Sequence, residues 1–228
     1  MNPTSGVLGE AWSLYKAHWQ RFAILALAVY VIIGLASALL IGLAGIFGTL
    51  LATVVSLVGV FLLQGAFVHA VLDVRDGRVD MTVGETFAKA RPFLGAITGA
   101  SLLAGLGIAL GLVLLLVPGL YLLTIWVLIV PVIVLEGAGA MGSFGRSKDL
   151  VQGHGWNVFG LIVLTFLIQI AVGIVIGLLV VSLPETTARF ISDLLSGTIA
   201  GPFVAITWVV LYFRLREVSP GGAPPPTA

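Results

Sequence analysis

Charged residues fall in a few short stretches of this chain, and the runs between them are long and apolar. Residues 22–72, between Arg21 and Asp73, carry no formal charge, and neither do residues 92–135, between Arg91 and Glu136. One crossing of a hydrocarbon core takes about 20 residues of helix, so each run is long enough for two. Residues 150–184 and 194–213 each allow one more. The pattern predicts an all-α, polytopic membrane protein with six transmembrane helices.

Turn signals place the reversals. Helices near 22–44 and 49–72 are joined through Gly42, Gly45 and Gly48, where glycine weakens the helix. A polar loop from Asp73 to Asp80 follows, with a turn at Asp76-Gly77. The next pair, 94–117 and 119–136, is split by a helix break at Pro118-Gly119. The last pair, 156–181 and 190–213, is joined around Pro184. Six helices thus form three hairpins.

A shorter periodicity precedes each hairpin. Leu8, Trp12, Tyr15 and Trp19 fall on one face of a helix, with Glu10, Ser13, Lys16 and Gln20 opposite. Such a helix lies flat in a membrane interface, anchored by its aromatic residues. Val83, Phe87, Ala90 and Leu94 repeat the spacing after a T-x-x-E capping box, Thr82 to Glu85. Ala140, Phe144, Ser147 and Val151 repeat it a third time, less cleanly, because Ser147 is polar and Lys148 intrudes. Trp12, Tyr15, Trp19 and Phe87 are the expected interfacial anchors. One membrane domain, 1–216, is read as three repeat-like units, 7–72, 83–136 and 140–213. Residues 217–228, rich in Pro and Gly, are expected to be a disordered tail.

Composition agrees. Of 228 residues, 59% are hydrophobic and 9% charged, far below the roughly 25% charged of soluble domains. A net charge of +1 gives no basic surface for nucleic acid. The chain has no cysteine, which removes disulfide and thiolate chemistry. Met1 to Arg21 lacks the apolar core of a cleavable signal. Ten of the eleven Lys and Arg residues lie on the side of the N-terminus and only Arg189 on the other, which predicts cytoplasmic N- and C-termini.

Candidate chemistry is sparse. Glu136 closes an apolar run, and Arg146, Ser147 and Lys148 follow a short glycine-rich turn. These four form either a structural latch between hairpin and interfacial helix or a contact to lipid headgroups. Gln64, Thr124, Thr165 and Gln169 lie inside predicted spans, where uncharged polar side chains bond between helices or line a polar path. His69 lies near a helix end and reads as interfacial. The pairs Gly95/Gly99, Gly107/Gly111 and Gly173/Gly177 have the G-x-x-x-G spacing of close helix contacts. No H-E-x-x-H, G-x-S-x-G or P-loop is present. No metal site, no cofactor and no catalytic residue is expected, and the chain is not read as an enzyme.

The run PGLY at Pro118, with Pro131, Glu136-Gly137, Gly145-Arg146-Ser147, Leu150 and Gly153, resembles the membrane domain attached to some glycerophosphoryl diester phosphodiesterases. It is also similar to that domain's stand-alone bacterial six-helix relatives, whose function is poorly defined. The sequence carries no phosphodiesterase domain beside it, so hydrolase activity is not implied. The expectation is a non-enzymatic protein of the bacterial inner (cytoplasmic) membrane, organising lipid or a partner protein in envelope maintenance. The alternative is a transporter or flippase-like carrier of a lipid or small amphiphile. The expected partners are membrane lipids with anionic headgroups on the cytoplasmic face and a membrane protein; nucleic acid is not among them.

Overall fold

Two prolines decide where the central helices break. Pro118 and Pro131 each stand third in a helix, α4 (Leu116–Ile125) and α5 (Ile129–Glu136). A proline has no N–H to give, and in a continuous helix its ring collides with the carbonyl four residues back. Those carbonyls belong to Leu114, which ends α3 (Leu94–Leu114), and to Val127, which lies in the interruption between α4 and α5. In the first turn of a helix the missing N–H costs nothing. The helix break expected at Pro118-Gly119 therefore lies at Leu115, whose backbone is extended, and Pro118 and Gly119 open the following helix. The second break, at residues 126–128, was not anticipated.

The structure is a computed structural model that describes residues 3–77 and 79–219, without the side chains of Thr186 and Arg189. Arg78 and residues 220–228 of the expected tail lie outside the described residues. The described residues are almost entirely helical, with no strand. The remaining elements are α1 (Val7–Arg75), α2 (Val83–Ala90), a 3-10 turn (Arg91–Phe93), α6 (Ala140–Val151), α7 (Gly155–Val180) and α8 (Glu185–Val218).

Helix α1 is continuous only in name. Its backbone leaves the helical region at His18 and again at Gly45, where φ is +53°. Only glycine adopts that conformation without strain. The chain folds back there: a Cβ at Gly48 would overlap the Leu40 carbonyl, and one at Gly59 would meet Ile33. Farther down the two limbs, the rings of Phe22 and Phe67 lie 6.4 Å apart. Helix α2 starts as its sequence predicts, with Thr82 and Glu85 bonded to each other's backbone in a capping box.

Five helical stretches are long and apolar enough to cross a membrane. The first, of 69 residues, would extend about 100 Å if straight, several times a hydrocarbon core of about 30 Å. This is the architecture of a multi-pass membrane protein. Burial within it is uneven. Phe22, Leu25, Ile133, Leu150, Leu211 and Tyr212 are fully buried near the charged ends of their helices. At the opposite ends Leu43, Ile46, Val113 and Val117 are each at least 75% exposed. Apolar side chains facing outward all round are stable where lipid, not water, is the solvent.

Candidate functional site

Seven charged side chains near the ends of the helices pair with one another. Arg146 Nε donates to Glu136 Oε2 at 2.8 Å, and the Tyr212 hydroxyl donates to Glu136 Oε1 at 2.8 Å. One carboxylate thus joins α5, α6 and α8. The hydrogen bond that Arg146 donates to Glu136 is the main reason its guanidinium is held above the ordinary arginine pKa. Glu10, placed by its spacing on a water-facing side, instead accepts from Arg214 at 2.7 Å and lies 3.6 Å from Arg75. Asp73, only 5% exposed, pairs with Arg21. The Arg75 guanidinium rests 4.3 Å from the Phe213 ring. The last two turns of α8 are the hub of these contacts.

Ser147 takes a place that rules out headgroup contact. It is fully buried, donates to the Ile125 carbonyl at 2.7 Å and accepts from the Leu128 N–H at 3.2 Å. Its hydroxyl closes the backbone groups that the interruption between α4 and α5 leaves open. Lys148, next to it, is exposed. Glu136 and Arg146 are thus brought together across α5 and α6, Ser147 is buried at the interruption, and Lys148 is exposed.

The expected interfacial anchors divide. Trp12 and Trp19 are about half exposed, at 50% and 52%. Tyr15 stacks on Trp12 at 5.8 Å, and both meet the edge of Phe203 on α8. Phe87 is half-buried against the core.

Under the interruption lies a cavity of about 450 Å³, bordered by α1, α3, α5, α7 and α8. Tyr30, Gln64, Ser101, Trp126, Gln169 and Trp208 bring polar atoms to it. Among the described residues none of these six side chains makes a hydrogen bond. Trp126 forms one wall, wedged between the Phe144 ring at 4.9 Å and Gly107, where a Cβ would come within 2.9 Å of the indole. Thr124 and Thr165, by contrast, turn back to carbonyls of their own helices.

Of the three glycine pairs, only Gly107/Gly111 is used for close approach. Gly111 meets the Gly119 backbone at 2.9 Å from its would-be Cβ, whereas Gly95, Gly173 and Gly177 have nothing within 4 Å and Gly99 only Ala140 at 3.8 Å. Among the described residues no group of His, Asp and Glu side chains is placed to hold a metal ion. The contacts that sequence reasoning missed are the long-range ones. Tyr212 to Glu136 and Arg214 to Glu10 span 76 and 204 residues, and nothing local announces them. Comparison with protein-family models, curated proteins and solved structures finds no match.

Proposed function

We propose that the chain is a non-enzymatic, multi-pass protein of the bacterial cytoplasmic membrane, with both termini cytoplasmic, that organises anionic lipid around a collar at its charged end. One observation carries this reading. Glu10, Asp73 and Glu136 are all engaged by cations of the protein itself, while Lys16, Lys89, Arg91 and Lys148 are exposed and lie within 4 Å of no described carboxylate. Each amphipathic segment supplies at least one of them. Asp76, Asp80 and Asp149 are exposed as well, so the collar presents separate cationic spots rather than one basic field. Spots of that kind suit individual headgroup phosphates, each worth about 1 kcal/mol near an anionic surface.

Trp12 and Trp19 support the same reading as half-exposed aromatics flanking Lys16. The organisation into three hairpins, each entered through an interfacial helix, belongs to this proposal, as does kinship with the membrane domain named above. The test is melting of the detergent-purified protein with added lipid. Phosphatidylglycerol should stabilise it more than phosphatidylcholine, and the triple variant Lys16→Gln, Lys89→Gln, Lys148→Gln should lose the difference. Equal stabilisation by both lipids in the native chain would overturn the reading.

A carrier of a lipid or small amphiphile is the second reading, favoured by the cavity. Interrupted helices with backbone at membrane depth persist where they line a cavity, and transporters place their sites there. Loss of amphiphile transport in Gln64→Leu or Gln169→Leu would favour it.

A further inference from the structure

We propose that the cavity beside the Trp126–Leu128 interruption is a binding site for an uncharged amphiphile with a single hydrocarbon chain. The proposal depends on the chain being embedded in a membrane. It does not depend on the cationic collar, which could fail while this site stands.

Depth is the first argument. Tyr30 stands nine residues after Arg21, Gln64 nine before Asp73 and Trp126 ten before Glu136. At 1.5 Å per residue this is roughly 13–15 Å from the charged end, near the middle of a hydrocarbon core of about 30 Å. A polar atom left without a partner at that depth costs several kcal/mol. Six side chains that carry polar atoms line one space without a bond among them, with those atoms open rather than sealed inside the protein. Their partner comes from outside the chain.

Chemistry selects the head. The cavity is lined by no ionised side chain, so a charged head would be desolvated without compensation. An amide such as Gln64 both donates and accepts, as do the Tyr30 and Ser101 hydroxyls, and the two indoles donate. Hydroxyl or ester groups match that set. The remaining wall is aliphatic and aromatic, which water alone would leave poorly served. Size selects the tail. At about 30 Å³ for each water-sized group, the 450 Å³ volume takes roughly fifteen such groups, enough for one chain with a small head and not for two chains. Entry is from the side of α7, where Gln169 is exposed.

Tryptophan fluorescence tests it. In the variant Trp12→Phe, Trp19→Phe, Trp156→Phe only Trp126 and Trp208 remain, and both line the cavity. A monoacylglycerol brominated along its chain should quench them saturably. Unlabelled monoacylglycerol should reverse the quenching, whereas palmitate and a diacyl phosphatidylcholine should not. Gln64→Leu should weaken binding by about tenfold. Ile108→Phe, which fills part of the cavity without adding an indole to the signal, should abolish it while the protein still elutes as a folded species. Quenching that does not saturate, equal displacement by palmitate, or unchanged binding in both variants would overturn the proposal.

Discussion

The hydroxyl of Ser147 sits between the Ile125 carbonyl, to which it donates, and the Leu128 N–H, from which it accepts. One side chain of α6 thereby splices a helix that Pro131 keeps open. Replacing it by alanine leaves two buried backbone groups without partners, at about 1–3 kcal/mol each. Ser147→Ala should therefore lower the melting temperature in detergent by several degrees. Lys148→Ala, one residue on and exposed, should stay within about 0.5 kcal/mol of the native chain. A melting temperature equal in the two variants would contradict the splice.

Glu136 is shared by Arg146 and Tyr212, so its partners should be energetically coupled. Glu136→Gln and Arg146→Gln should each destabilise, and the double variant should cost less than their sum by about 1 kcal/mol. Tyr212→Phe should show coupling to Glu136→Gln in the same sense. Additive losses would remove the latch. The pH dependence has a definite sign. A folded-state pKa raised in Arg146 stabilises below the unfolded value and is lost only as pH rises through the folded one, above the ordinary arginine range. Between about pH 7 and about pH 9 the Arg146→Gln difference in melting temperature should therefore be constant.

The glycine contacts make a sharper packing prediction. Gly119 has no room for a Cβ beside the backbone and side chain of Leu112, whereas Gly173 faces open space. Gly119→Ala should force α3 and α4 apart at about 1–3 kcal/mol. Gly173→Ala should be neutral or slightly stabilising, through helix propensity. Thermal melts of the two variants decide it.

What could be read in advance follows from range. The charge-free runs, the capping box at Thr82 and the glycine reversal near Gly45 are set by neighbouring residues, and they are legible. So is the Glu136–Arg146 pair, ten residues apart across a glycine-rich turn. Pro118 was legible as a breaker, but its action falls on Leu114 and Leu115, because the proline ring strikes the carbonyl behind it. Pro131 sends the same signal, concealed in an apolar run that reads as one unbroken span. The roles of Tyr212 and Arg214 depend on how α8 packs against distant helices, and periodicity is silent about that. The cavity was foreshadowed only by Gln64 and Gln169. That the two share one space is a property of the assembled bundle.

Orientation has its own test. Thr187→Cys should react with an impermeant thiol reagent added outside intact cells, and Asp76→Cys and Ser219→Cys should not. Reaction of Ser219→Cys from outside would invert the cytoplasmic assignment of the collar.

The collar itself is tested most directly by native mass spectrometry of the full chain extracted from its own membrane, with the retained lipid identified. The native protein should leave detergent carrying anionic phospholipid. The triple variant Lys16→Gln, Lys89→Gln, Lys148→Gln should fold and lose that lipid while keeping the Glu136–Arg146 coupling. Retention of the same anionic lipid in both proteins, or of none in the native one, would contradict the account.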